Sequence, residues 1–399
     1  MITPKTTRIH HPSGHLFEAF CRFTASHPDA SWFQSDRFFR FALQWPEAEP
    51  VLLLAVRESG LKDPGKDRPQ CAGRLGTKDG FLFDVKQADQ PEVSQSEDPA
   101  KKFPIAGSLL GVVIREPRAA GGVLAAARRV LNPLTARTIV YGGPLLGEGT
   151  RLEKEMTLQV LVRALQDKVK PKSLFTQYRN FFDMSDYVPV FRNLGFSWQD
   201  RLNLRVNTHT RDRAWDGMHG SKKRQVQKSL NSGAVLIHDP DKGQVDDFYN
   251  LLKKLYVHKV KKPLPSRAFF QLLGQGHGKI ILLGYGGRII GGMACPILAG
   301  KAMYEWYVCG LDREYASQGI YPSVLLTWAA MEYAASKQIP VFDFMGLGKP
   351  DTPYGVRDFK KKFGGQLFNP GRFTMINKKL LYHIASVGYR LFFYRALRL

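Results

Sequence analysis

Cysteine is scarce in this 399-residue chain: Cys21, Cys71, Cys295 and Cys309 are the only four. None forms a CxxC pair and none stands at zinc spacing from a histidine, so they read as reduced thiols of a cytosolic protein rather than a disulfide framework. Long apolar runs are also missing. The longest, VLLLAV, is far short of the roughly 20 residues a spanning helix needs. The N-terminal stretch MITPKTTRIHHPSGHLFEAF has no apolar h-region of a signal peptide. The expectation is a soluble, cytoplasmic chain, peripheral to a membrane at most.

Several chemistries have no seat. The ten histidines are scattered, and neither HExxH nor an EF-hand pattern occurs, so no metal site is expected. There is no GxSxG elbow and no Walker A loop. GQGHG (274–278) resembles a fragment of a dinucleotide loop, but it precedes a strand rather than a helix and reads as a turn.

Acid is short as well: 35 Asp and Glu face 58 Lys and Arg, a net charge of +23. That balance points to polyanionic partners, whether nucleic acid, anionic lipid headgroups or phosphorylated substrates. Apolar residues make up 44% and aromatics 12%, enough for a sizeable core. At roughly 150 residues per domain the length suggests two. The order of elements is α+β. A first domain is expected over 1–195, with a polar, aperiodic tract at 59–105 read as a mobile insertion. A second is expected over 196–371: basic helix, strand, helix, three-strand meander, helix, strand. The tail, 372–399, reads as a basic amphipathic helix. Its stripe of Leu380, Ile384, Val387, Leu391 and Tyr394 is expected to pack back on the protein; lying on an anionic membrane is the alternative.

Chemistry then rests on loops and faces that combine glycines, aromatics and cations. SKKRQVQKS places Arg224 and Lys228 four apart on one helical face, suited to clamping phosphates. YEWYVCG (304–310) alternates, with Tyr304, Trp306 and Val308 on one side and Glu305, Tyr307 and Cys309 on the other. One side is core, and the other can line a groove. Tyr304, Trp306, Tyr354, Arg357 and Lys361 are the candidate groove residues. In RDFKKKFGG, Phe359 and Phe363 anchor a short helix or turn, and Lys360, Lys361 and Lys362 then point in different directions. An ammonium beside a cleft can stabilise a developing oxyanion. No general base stands out; Asp343 and Asp358 are near in sequence, but a strand-end Asp more often caps backbone.

Four segments in order, YGGPLL (141–146), SKKRQVQKSLNSGAVL (221–236), YEWYVCGLDREYASQGIYPSVLLTWAAMEYA (304–334) and FDFMGLGKPDTPYGVRDFKKKFGG (342–365), resemble the Fem family of peptidoglycan-bridge aminoacyltransferases. The resemblance implies two tandem acetyltransferase-like (GNAT-type) domains with mixed sheets. It also implies transfer of an amino acid from aminoacyl-tRNA, as co-substrate and with no further cofactor, to a stem-peptide amine of a nucleotide- or lipid-linked muropeptide. By the same resemblance Lys360 lies near the reacting carbonyl, Arg224 or Lys228 holds precursor phosphates, and the GGP at 142–144 is a structural turn. SQGIYPS stands where an acyl-CoA pyrophosphate loop would sit, and it has Pro322 and no glycine cradle. Two alternatives remain open: an N-acyltransferase using acyl-CoA or another thioester on a sugar or lipid amine, and a non-catalytic binder of RNA or membrane.

Overall fold

A computed structural model describes residues 4–57, 82–83, 104–116 and 136–395, with side chains described outside 82–83 and 388–395. The strands are β1 (Lys5–Ile9), β2 (Ala48–Val56), β3 (Leu82–Phe83), β4 (Ile105–Ile114), β5 (Arg137–Gly142), β6 (Leu145–Leu146), β7 (Phe175–Asn180), β8 (Ser197–Gln199), β9 (Asn203–Asn207), β10 (Val235–Ile237), β11 (Gly278–Tyr285), β12 (Arg288–Leu298), β13 (Ala302–Tyr304), β14 (Tyr307–Gly310), β15 (Val341–Asp343), β16 (Gln366–Phe368) and β17 (Arg372–Ile376). They form two mixed sheets. The first runs β3-β1-β2-β4-β5-β7-β17-β8 with β6 beside β4, and the second runs β10-β11-β12-β13-β15-β9-β16 with β14 beside β12.

The apolar runs explain the first sheet. β4 is buried along nearly its whole length and β2 over Val51–Ala55, because both faces are covered there, as continuous Val, Leu and Ile runs require. One cover is the helix Arg151–Val169. It is opened by a capping box between Thr150 and Glu153, and its Leu158, Leu161, Val162 and Leu165 are wholly buried. Gly107 lets that helix approach: a Cβ there would lie 2.9 Å from both Leu145 O and Thr157 Cγ2.

The halves meet along an aromatic seam. Trp32, Phe33, Phe38 and Phe41 of the first half pack with Tyr304 and Phe269 of the second in one buried cluster, and the half-buried Trp306 packs against it. The Phe33 and Trp306 rings meet edge to face at 4.9 Å. Such pairs contribute about 0.5–1.5 kcal/mol each beyond burial.

Three expectations change at the junction. β8 belongs to the first sheet, so the sheets divide between Gln199 and Asn203 rather than at 195. The chain from 372 does not begin as helix: Arg372–Ile376 returns to the first sheet, between β7 and β8. The tail helix is Lys379–Arg395, and Leu380, Ile384 and Val387 of its stripe are exposed, the first at 73%. At those positions the stripe is not packed back. Tyr382 touches the body instead, edge-on to Phe175. Leu391 and Tyr394, and the 59–105 tract apart from Leu82–Phe83 and Pro104–Ile105, lie outside the described side chains or residues.

Candidate functional site

Two strands that begin as neighbours part in the second sheet. β13 and β15 run parallel for three rungs, Ala302 to Val341, Met303 to Phe342 and Tyr304 to Asp343, and Glu305 N donates to Asp343 O at 2.9 Å. Beyond that the continuation of β13 stays with β12 as β14. The continuation of β15 stays with β9, where Phe344 N donates to Leu204 O and Leu347 N to Leu202 O.

Asp343 drives the parting. Its carboxylate is fully buried. It accepts from Asn203 Nδ2 at 2.9 Å, Arg205 Nε at 3.0 Å and Met345 N at 2.8 Å. The Met345 amide is thereby spent on a side chain, and Met345 takes φ +55°, a left-handed turn that cannot continue a strand. The strand-end Asp therefore caps backbone.

Lys360 fills the gap between the diverged strands. The short helix Gly355–Lys361 is held by Phe359 and the fully buried Phe363, whose rings pack at 5.3 Å. This turns Lys360 inward until it is 8% exposed. Its Nζ lies 2.8 Å from Glu305 Oε1 and donates to Phe344 O at 2.8 Å. Glu305 is itself buried. Burial pushes its carboxyl above the ordinary value; Lys360 opposes that shift and Asp343 adds to it. An ammonium has three N–H donors. Glu305 and the Phe344 carbonyl occupy two and fix the headgroup, so the third can meet an oxyanion in a low-dielectric gap.

The other predicted residues scatter. Lys361 and Lys362 point away from Lys360 into an open depression of about 460 Å³, shared with Gly217, Met218, His219 and Asp358. Arg224 and Lys228 are exposed on the helix Gly220–Asn231. Arg357 is not free to line a groove: Nη1 and Nη2 donate to the carbonyls of Lys349 and Thr352. Tyr354 is exposed against Gly348. Tyr304 is corrected from groove to core, and the half-buried Trp306 packs against that core. Tyr304 is 3% exposed, stacked on Phe181, and Trp306 sits in the aromatic seam. The opposite side of that strand carries the polar residue, Glu305. The GGP turn holds as structure: Gly142 and Gly143 have φ +87° and +84°, and Gln34 Nε2 donates to Gly143 O at 2.8 Å.

Sequence reasoning missed three residues here. Glu305 was passed over although it is the one acid in YEWYVCG. Lys222 turns in rather than out, its Nζ 4.2 Å from the Phe359 ring centre, and ties the basic helix to the helix of Lys360; burial, then Lys362, pulls its ammonium down to about 8. Asp312 closes the start of the helix Pro322–Ser336. Ser323 N donates to Asp312 Oδ1 at 3.0 Å, Tyr321 N to Ser229 Oγ at 2.8 Å, and Pro322 has no N–H. The amides that would face an anion at this helix start are already bonded, and a carboxylate stands among them. Among the described residues no group of three His, Cys, Asp or Glu could hold a metal, and no helix is long and apolar enough to cross a membrane.

Residues 298–390 match the model of the FemAB family. No curated protein matches the chain. Among solved structures, FemX superposes with a TM-score of 0.55 at 12% identity, covering 94% of this chain and 99% of that one. A tandem GNAT protein from the clavulanic acid biosynthesis pathway superposes with a TM-score of 0.51 at 11% identity, covering 94% and 98%. At these identities the likeness is one of fold: mixed α+β, with two sheets in tandem.

Proposed function

We propose, from the premise that this chain is a Fem-family protein, that it is an acyltransferase moving an amino acid from aminoacyl-tRNA to the stem-peptide amine of a nucleotide- or lipid-linked muropeptide. The observation that carries the reading is the buried Lys360 ammonium, pinned by Glu305 and the Phe344 carbonyl where β14 and β15 part.

An aminoacyl ester is already activated. The acceptor amine attacks its carbonyl carbon, a C–N bond forms, the C–O bond breaks, and the amine's proton leaves with the ribose oxygen. Positioning and an oxyanion partner meet most of the need. Lys360 is the proposed oxyanion partner, and Glu305 the residue that positions it. The exposed Arg224 and Lys228, with Lys361 and Lys362 beside the depression, are the proposed contacts for acceptor phosphates.

The occupied start of the Pro322–Ser336 helix favours tRNA over acyl-CoA, because Asp312 would face the CoA pyrophosphate. The net charge of +23 suits a long polyanion. The exposed stripe of the tail helix, with its flanking cations, supports contact with the inner membrane surface. The test supplies purified protein and a muropeptide acceptor with charged tRNA or, separately, a panel of acyl-CoA donors. The acceptor should gain mass only with charged tRNA, and the added mass identifies the amino acid. Gain with acyl-CoA alone would establish the N-acyltransferase alternative instead.

A further inference from the structure

A second concentration of charge lies at the junction of the halves. Arg372 of β17 stands directly across from Arg179 of β7 on one side and Gln199 of β8 on the other. Residues opposite one another in a sheet share a face. Arg201 follows two residues after Gln199, and its Nη2 donates to Gln199 Oε1 at 2.6 Å. From the second half Lys262 comes within electrostatic reach of all three arginines. Gly346 passes so close that a Cβ there would lie 3.1 Å from Arg372 Nη2.

Like charges set across a sheet destabilise it, and nothing nearby offsets these. Among the described residues none of the four cations forms an ion pair. Arg179 donates to the neutral Gln177 amide at 2.9 Å and lies over the Tyr141 ring at 5.4 Å. Arg201 Nε is buried without an acceptor. Burial first, then the neighbouring arginines, pulls the Arg372 guanidinium down to about 9, and Arg201 and Lys262 shift the same way.

We infer that Arg179, Arg201 and Arg372, with Lys262, form a binding site for a phosphoryl group, a phosphate or diphosphate that enters between the two halves. Guanidinium forks match tetrahedral oxyanions bidentately. Bound charge would satisfy the orphaned Arg201 Nε and cancel the repulsion across β7 and β17. The site is distinct from the exposed Arg224 and Lys228, and it stands whichever donor the enzyme uses. The phosphoryl group has two possible sources, a soluble phosphate ester or a lipid headgroup, which the test separates.

Inorganic pyrophosphate is titrated into the full chain by calorimetry and thermal melting, with sodium chloride at matched ionic strength as control. A flotation assay uses phosphatidylcholine vesicles with and without phosphatidic acid. Pyrophosphate should bind saturably and raise the melting temperature beyond the chloride control. Arg201→Gln and Arg372→Gln should each weaken it at least tenfold, while Arg288→Gln, on an exposed hairpin turn, leaves it intact. Without ligand, Arg372→Gln should melt no lower than the parent, because a repulsion is removed. Should that variant fail to fold, Lys262→Gln tests the same cluster from the exposed side. Vesicle binding that needs both phosphatidic acid and these arginines identifies a lipid source; pyrophosphate binding without it identifies a soluble one. No saturable binding of either probe, or binding unchanged in the arginine variants, would overturn the site.

Discussion

Equivalent strand pairs in the two halves behave differently. In the first sheet β5 and β7 run parallel through five consecutive rungs, from Thr138 opposite Thr176 to Gly142 opposite Asn180. In the second, β13 and β15 hold three and then part. The closed pair ends in a glycine turn that packs against Gln34. The open pair ends in Asp343, whose side chain takes the Met345 amide and bends the chain away. The chain after β5 also leaves its partner, since β6 pairs with β4, but it leaves through a glycine turn, whereas at the second parting a buried carboxylate holds the bend. The gap after Asp343 admits the Lys360 ammonium.

Breaking that ammonium should have the largest effect. Lys360→Met should slow transfer by about 10²-fold or more. Read from sequence alone, the same substitution looks harmless to the fold, since the segment is polar and loop-like. Burial reverses that expectation: the variant leaves Glu305 buried without its partner, which costs about 3–5 kcal/mol in urea melts. Adding Glu305→Gln should restore most of the stability and none of the rate.

The pH dependence sharpens the point. Glu305's folded carboxyl lies above its ordinary value of 4.5, mainly through burial, and losing Lys360 raises it further. A raised carboxyl favours folding below the ordinary value and loses that contribution as pH rises through the folded one. The stability gap between Lys360→Met and the parent should therefore be narrow below the ordinary carboxyl value and widen toward neutrality. A gap that does not change with pH would mean that Glu305 is not the group left unpaired.

Smaller effects should follow from the occupied helix start and from the closed pair. Asp312→Ala removes an acceptor from Ser323 N and should cost about 0.5–2 kcal/mol, while acetyl-CoA should give the parent no thermal stabilisation. A clear upward shift with acetyl-CoA would contradict the reading of that helix. In the first sheet, Arg137→Gln breaks a partly exposed pair with Glu116. It should cost under about 1 kcal/mol and leave transfer unchanged, because the closed pair has no part in the chemistry.

Much of this was legible in the sequence. The three-strand meander and the α+β order survive in the structure, and Leu158, Leu161, Val162 and Leu165, spaced i, i+3, i+4, i+7 along the sequence, are buried, since local pattern and tertiary burial agree there. What sequence missed clusters at the gap. YEWYVCG reads as an unbroken strand because its alternation is strong, yet it breaks between Tyr304 and Tyr307, and the strand Val341–Asp343 stops at Asp343. No local rule reveals that Asp343 will meet Asn203 and Arg205 from a strand some 140 residues earlier. The same non-locality hid Glu305 and the face of Trp306, which belongs to the seam between halves. Lys360 itself was reachable only through its flanking phenylalanines and a family resemblance.

The most direct measurement is the single-turnover transfer rate of the Lys360→Met, Glu305→Gln double variant, with charged tRNA and a muropeptide acceptor, on protein shown to be folded by its melting curve. The account predicts a rate lower than the parent's by about 10²-fold or more at near-parental stability. A folded double variant that transfers at the parental rate would contradict it and move the chemistry out of the gap between β14 and β15.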